Sequence, residues 1–572
     1  MDFHFGDFLL EFEYRLNAFD LKGAAEYCNG FIAHLLRSGD VIPLKQAERV
    51  LQGLRRKRMF VQMQQLADTL IRTNRVTFKI RKLYAQAMID LSNYTASICV
   101  LGSLIHDTEM AGAQDPTAPI ENREARGLIG RVYKQLYMNA GDPANPQCVT
   151  YLKLSVNAYY EVYKADNSKV WHGINTVAML ERAKRDKISI DDLPEPLAMA
   201  KAILSLINKR YIAGEDVDAW DFATAAEACI ALGNTEEALR WMSGYAKSPD
   251  CDAFELSSTL RQLEEVWQLD LTKPAGLLLL PILRAELVKR QGGSVLLDAE
   301  TVKMQNVLDE KVTKIYTSLM REGKVDGSTT GKITLEKNFG EDSFTTYREY
   351  MLGAGCCLWV ARIGLDRTKG KGTGFLIRGN RLKDSLGEQF YLLTNAHIIS
   401  DDPAENALNP EDAIVTFEAL DGNREYTGLK ILWSSPSGAL DATLLKFTAA
   451  DKDRLDQLAK DAETYSVSAI LPDPKASPKL FIIGHPKGGT LQLSLHDNLL
   501  LDHQAPRIHY RTPTEGGSSG SPVFTEQWKL IGLHHAGVKN MPCLNGKPGT
   551  YDANEGIWIQ SMITALRERS DL

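Results

Sequence analysis

Apolar side chains recur along the first half of the chain with the period of a helix. Leu9, Phe12, Leu16 and Phe19 stand three and four residues apart, and so do Met304, Leu308, Val312, Ile315 and Leu319. This spacing lines up one face of an α-helix, and it predicts helices from Asp7 to about Arg321. The stretch from Phe222 to Leu239 adds detail: a helix, a reversal at Gly233-Asn234, and a second helix that Pro249 stops. Gly and Asn accept the backbone angles such a reversal needs. Between Glu322 and Thr346 the texture changes to Gly, Ser, Thr and Lys, the composition of a linker. A short helix is expected near Phe344 to Ala354. Then come short β-rich runs between turn residues: 358–363, 373–377, 389–394 and 413–417. These predict an all-β sandwich or barrel. The expected organisation is a helical array at 1–321, a linker at 322–345 and an all-β domain at 346–572.

Segment 222–239 resembles a tetratricopeptide repeat. It has the aromatic Phe222, the small pair Ala225-Ala226, Gly233 before the second helix, Ala238 five residues later and Pro249 near the end. Asp20 to Tyr27 is a fainter echo. Tyr151 to Ala183, with Trp171-His172-Gly173-Ile174-Asn175, looks like the TRAF-binding helical region of some MAP kinase kinase kinases. The resemblance implies a helical solenoid whose concave face binds a protein or ligand activator; generic helical packing is the plainer alternative. The basic run Arg55-Arg56-Lys57-Arg58 reads as a solvated helix face or, less simply, a docking patch.

The β region carries three chemical motifs in order. Leu393-Thr394-Asn395-Ala396-His397 ends a strand at a histidine. Leu440-Asp441-Ala442-Thr443-Leu444 sets an aspartate at the head of an apolar strand, where a hydrogen-bond donor must meet it if it is buried. Gly516-Gly517-Ser518-Ser519-Gly520-Ser521-Pro522 is the most specific. Acyl transfer by a serine needs a neutral imidazole to take its proton, a carboxylate to hold that imidazole in one tautomer, and N–H groups aimed at the developing oxyanion. Of the three serines only Ser519 has Gly two before, Gly one after and Pro three after. The N–H groups of Gly517 and Ser519 are the expected oxyanion donors.

These motifs look like the signatures of trypsin-like serine peptidases, whose chain order His, Asp, Ser is matched by His397, Asp441 and Ser519. The likeness runs from about Cys356 to Thr564. It implies two six-stranded β-barrels of the chymotrypsin type with the catalytic residues in the cleft between them. Phe481 to Pro486 and Leu530 to Gly537 are similar to bacterial glutamyl endopeptidases. In that branch Thr514 and His534 would line the specificity pocket, and a hydroxyl with an imidazole suits a Glu or Asp side chain before the scissile bond.

Composition narrows the setting. Apolar residues are 44% and charged residues 24% of the chain, and the net charge is −7, so no global charge favours nucleic acid or an anionic membrane. The cysteines are sparse and form no C-x-x-C pair, so neither a thiolate zinc site nor a disulfide framework is expected. Lys369 to Gly374 lacks phosphate-loop spacing and reads as a turn. His496, His503 and His509 lack metal-ligand spacing, and the adjacent His534 and His535 would face opposite sides of a strand. No metal and no cofactor are expected. The N-terminus has no secretory pattern and no run is long enough to span a bilayer, which favours the cytoplasm. The expected partner is a protein or peptide substrate. Fusions of this kind look like components of bacterial antiviral defence, in which the substrate is a co-encoded effector such as a gasdermin. The rival readings are a catalytically silent scaffold, a docking adaptor, or an esterase or acyl transferase using the same residues.

Overall fold

The computed structural model describes residues 4–17, 20–190, 193–290, 299–305, 308, 311–312, 314, 341–422, 424–459, 465–476, 478–494, 499–511 and 516–572. The contacts divide the chain into two compact units, one built on the helices through Lys289 and the other on residues 344–572 together with the helical residues 299–305. Most of the expected linker, residues 322–340, lies outside the described residues.

The first unit is a succession of antiparallel helices from Phe5–Asn17 to Pro274–Lys289. Helix Phe5–Asn17 buries Phe8, Leu9, Phe12 and Leu16, the face the spacing predicts. The repeat-like segment forms helices Ala219–Ala231 and Thr235–Lys247. Gly233 makes the reversal at φ +73°, and Asn234 caps the second helix by accepting a hydrogen bond from the Glu237 amide. Ala225, Ala226 and Ala238 are fully buried, so the two helices meet on small side chains.

In the second unit, helix Glu341–Cys357 precedes thirteen strands: β1 (Val360–Gly364), β2 (Gly370–Arg378), β3 (Phe390–Thr394), β4 (Ile414–Thr416), β5 (Lys430–Ser435), β6 (Ala442–Lys446), β7 (Leu480–Gly484), β8 (Gln492–Ser494), β9 (Leu500–Gln504), β10 (Arg507–Tyr510), β11 (Pro522–Thr525), β12 (Leu530–Pro542) and β13 (Thr550–Trp558). They form two antiparallel sheets, in the orders β4-β1-β2-β3-β6-β5 and β8-β7-β11-β12-β13-β10-β9. The fold is a helical-repeat array followed by an all-β unit of the chymotrypsin type. The first sheet has the expected six strands. The second has seven, because the pair β7 and β8 occupies one edge and the pair β9 and β10 the other, with β11 to β13 between. Strands β1 and β3 are buried throughout. Each fully buried Leu, such as Leu392 or Leu444, contributes about 1.5–3 kcal/mol.

Residues 370–374 belong to strand β2 and are not the expected turn. The glycines are there for packing: a Cβ on Gly372 would lie 2.6 Å from Ile398, and one on Gly374 would lie 2.8 Å from Ile363.

Candidate active site

Strand pairing explains how distant residues meet. Strand β3 leads into His397, and Asp441 immediately precedes β6. The two strands pair with Thr394 opposite Thr443. Asp441 is fully buried and its Oδ2 lies 2.7 Å from His397 Nδ1. Its Oδ1 accepts the His397 amide at 3.1 Å, so one carboxylate holds both the ring and the backbone of the histidine. The backbone of Asp441 is left-handed, with φ +41°. Asn395, also fully buried, donates its side-chain amide to the Asp441 carbonyl at 2.8 Å and fixes that conformation.

A third group enters this cluster. His535, on β12, places Nδ1 2.5 Å from the same Asp441 Oδ2. Its Nε2 lies 3.7 Å from Glu555, whose other oxygen meets His509 Nε2 at 2.9 Å. Burial alone would raise the pKa of Asp441. The hydrogen bonds from His397 and His535 outweigh it and hold the carboxyl far below the usual range. Glu555 is likewise held below its ordinary value against the effect of burial, by His509, Arg507 and His535. Asp441 is therefore an ionised, fully buried acceptor shared by two imidazoles. The ligating atoms of His397, Asp441 and His535 all lie within 4.8 Å of one another, so among the described residues these side chains could hold a cation. The separations of 2.5 and 2.7 Å equally suit shared protons.

Ser519 lies in the loop before β11. Of the three candidate serines it alone is partly exposed; Ser518 is 4% exposed and Ser521 is fully buried. Its Oγ donates to the His535 carbonyl at 3.4 Å. Gly517 and Gly520 have φ of +93° and +88°. Neither position admits a side chain: a Cβ would lie 2.4 Å from the Gly488 nitrogen in the first case and 1.9 Å from the Thr373 oxygen in the second. Thr373 of β2 grips the loop, donating its amide to the Ser519 carbonyl at 2.8 Å and its hydroxyl to the Gly517 carbonyl at 2.9 Å. Gly520 N–H donates to the His534 carbonyl at 2.9 Å, which ties the loop to β12. With the carbonyls engaged this way, no acceptor among the described residues takes the N–H of Gly517 or of Ser519.

The proposed pocket pair fares differently. Thr514 lies outside the described residues. His534 is 2% exposed, with Nδ1 2.8 Å from the Tyr510 hydroxyl. Burial, aided by His535 and His397, pushes its pKa down to about 3, so it is a neutral imidazole. Sequence reasoning missed His535. His534 meets Tyr510 and His535 meets Asp441 at a register shift of β12 between His534 and Ala536, so a regular strand period did not signal the second contact.

Two antiparallel sheets carrying an Asp-His pair and a serine on a glycine-braced loop are the arrangement expected of a trypsin-like peptidase domain. Comparison with known proteins agrees. Residues 372–533 match the model of the trypsin-like peptidase domain, and residues 55–180 match that of the Tetratricopeptide Repeats-Sensor. The chain is thus a fusion of tetratricopeptide-sensor helical repeats with a C-terminal trypsin-like peptidase domain. The uncharacterized protein y4fB of Sinorhizobium fredii (strain NBRC 101917 / NGR234) is 30% identical over 236 residues, covering 35% of this chain and 33% of that protein. The chain therefore spans about a third of the length of the curated relative it matches. Among solved structures, an inactive form of the Rv3671c protease aligns at 13% identity over 38% of this chain and 92% of its own, with a TM-score of 0.25. A mutant inactive form of Rv3671c from M. tuberculosis H37Rv gives 13%, 39%, 92% and 0.26. TM-scores this low carry no argument. Among the described residues no helix is long and apolar enough to cross a membrane.

Proposed function

We propose that the chain is an active serine endopeptidase in which Ser519 is the nucleophile, His397 the general base and Asp441 its orienter. The observation that carries this is the doubly bonded His397–Asp441 pair beside a serine loop with two unused amides. With Nδ1–H donated to Asp441, His397 keeps the lone pair on Nε2. As Ser519 Oγ bonds to the scissile carbonyl carbon, its proton passes to Nε2. The same proton then goes to the departing amine as the C–N bond breaks, and water repeats the sequence on the acyl-enzyme. The amides of Gly517 and Ser519 receive the oxyanion; losing one such donor costs about 3–4 kcal/mol of barrier in comparable sites. In the structure the Ser519 hydroxyl is turned to the His535 carbonyl, so attack requires it to rotate toward His397. We read this as a resting state that substrate, or a signal from the helical unit, converts to the attacking one.

A fluorophosphonate probe tests the chemistry. Wild type should label and Ser519→Ala should not. Absence of labelling in the wild-type chain would favour the silent scaffold instead. The finer readings share this foundation. In the tautomer that accepts from the Tyr510 hydroxyl at Nδ1, neutral His534 carries its proton on Nε2, a suitable donor for a substrate carboxylate, and cleavage after Glu or Asp rests on that tautomer. Control by the helical unit, and use in bacterial defence against a co-encoded effector such as a gasdermin, rest on the domain order. A proteome-wide cleavage profile of wild type against Ser519→Ala would report side-chain preference and substrate together; cleavage without enrichment of Glu or Asp would remove the pocket assignment.

A further inference from the structure

The helical unit encloses a cavity of about 490 Å³. Its walls come chiefly from alternate helices: Leu44–Arg56, Phe78–Asp90, Ala118–Asn139, Val170–Arg185, Ala219–Ala231 and Ala253–Arg261. These are the inner helices of successive pairs, so the cavity lies on the inside of the array.

Two features mark it as built. The first is its aromatic wall. Helix Ala118–Asn139 carries Gly127 and Gly130, each costing about 1 kcal/mol relative to Ala in a helix interior. A Cβ on Gly127 would lie 2.7 Å from the Trp171 ring, and one on Gly130 would lie 2.8 Å from the Tyr159 ring. The helix gives up stability to seat these two rings, and both line the cavity together with Phe254. The Tyr159 hydroxyl, on a fully buried side chain, has no hydrogen-bond partner among the described residues.

The second is its charge. Arg131, Lys134 and Arg261 converge on the cavity. Arg131 is paired with Asp90 at 2.5 Å. Among the described residues Lys134 bonds to two neutral oxygens, those of Asn175 at 3.0 Å and Gln262 at 2.7 Å, and lies 5.7 Å from the centre of the Tyr159 ring. Arg261 has no hydrogen-bond or ion-pair partner among the described residues. Burial and the neighbouring cations push the proton affinities of Lys134 and Arg261 down. The acids that line the cavity are already bonded or paired: Glu227 accepts from Trp267 at 2.7 Å and Gln262 at 3.1 Å, Glu265 from Gln135 at 3.4 Å, and Asp218 from the Asp221 amide at 2.9 Å, while Asp221 pairs with Arg210 at 2.9 Å and Glu124 lies 4.0 Å from Lys82. Arg55, half-buried with its guanidinium 4.2 Å from the centre of the Phe254 ring, also lines the cavity, so the first residue of the basic run is not a solvated face.

We infer that this cavity binds a small anionic molecule bearing a planar ring, its phosphate or carboxylate held by Arg261, Lys134 and the Tyr159 hydroxyl and its ring set against Trp171 and Phe254. The volume suits a ligand of nucleotide size. A guanidinium fork matches a phosphate or carboxylate, and flat aromatic walls match a ring. An anion would relieve the mutual repulsion of the three cations and fill the empty hydrogen-bonding position at Tyr159. Such a site would be where the helical unit receives its signal, and that last step rests on the regulated-peptidase reading.

Calorimetry on the full-length Ser519→Ala chain tests binding apart from catalysis. The probes are ATP, AMP, benzoate, inorganic pyrophosphate, uncharged adenosine and an acidic peptide. A ring-bearing anion should bind at least about tenfold tighter than adenosine. Arg261→Gln should weaken that binding by about tenfold or more, and Tyr159→Phe, which keeps the ring, by less. If Arg261→Gln misfolds, Tyr159→Phe and Arg261→Lys carry the test. No heat from any ring-bearing anion at millimolar concentration, equal binding by these variants, or binding by an acidic peptide alone would overturn the assignment. Binding without an effect on peptidase rate would leave the site standing and remove only the regulatory step.

Discussion

The two units bury charge in opposite ways. In the β unit the fully buried Asp441 carboxylate receives the His397 amide and two imidazole nitrogens, and it stays ionised against the pull of burial. In the helical unit Lys134 and Arg261 are desolvated with no carboxylate bonded to either, and their charged forms are disfavoured. A charge that is fully met inside the protein is preorganised to act on something else. A charge left under-compensated costs stability until a counter-charge arrives. The contrast separates a site built for chemistry from one built for capture.

The sharpest way to break the first half of the comparison is Asp441→Asn. An amide can donate to His397 Nδ1 and force the wrong tautomer, so kcat should fall by about 10⁴-fold with little change in substrate affinity. Loss of less than about tenfold would mean the carboxylate is not the orienter. The same variant reports on stability. The carboxyl has a folded pKa below its unfolded value of about 3.9, so its contribution is present above that value and is lost as pH falls through the lower folded one. Chemical denaturation between pH 7 and pH 3 should therefore decline more steeply for wild type than for Asp441→Asn.

Gly520→Ala comes next. It combines a left-handed backbone with a Cβ 1.9 Å from the Thr373 oxygen, and it should cost about 3 kcal/mol in unfolding of the β unit. An unchanged midpoint would mean that the loop is not braced against β2. Smaller is His535→Phe, which removes a donor from an ionised acceptor. About 1.5–3 kcal/mol is expected, read as a 10–100-fold loss in kcat/KM. Asp441 would then give its whole charge to one imidazole, so the acidic limb of the pH–rate profile should move to higher pH. His535→Gln, which keeps a donor, should restore part of both. A rate loss with an unmoved limb would make His535 a packing residue only.

What could be read from the chain follows the range of the interactions involved. His397, Asp441 and Ser519 each sit in a short motif at a strand end, and the motif carries the strand with it. The reversal at Gly233-Asn234 is equally local. The role of His535 is not, because its bond to Asp441 spans 94 residues and joins two different sheets, β12 of one and the start of β6 of the other. The cavity is less legible still. Its lining runs from Gln52 to Val266, scattered over many helices, and its polar members each resemble an ordinary solvated position. Arg55 shows the cost, since its neighbours Arg56 and Arg58 are exposed as expected while it turns inward. The glycines at 370–374 mislead for the opposite reason: their composition says turn, and close packing keeps them in a strand.

The smallest predicted effect probes the other half of the comparison. Lys134 has its pKa pushed down to about 7 by burial first, with Arg131 and Arg261 adding to the depression and Glu227 and Glu265 opposing it. Its ordinary value is about 10.4. Folding therefore carries a protonation penalty that is full below pH 7 and fades as pH rises toward 10.4. Lys134→Met removes the penalty but leaves the Asn175 and Gln262 oxygens without their donor, which costs part of the gain. The net should be about 1 kcal/mol of stabilisation at pH 6–7, or roughly 2–4 °C in the helical unit, shrinking to nothing or reversing by pH 10. An anion should cancel the advantage by stabilising the wild type more than the variant, which lacks one of its three partners. A gain that holds constant across pH would mean that Lys134 is a satisfied structural residue, and the contrast between the two buried charges would fail.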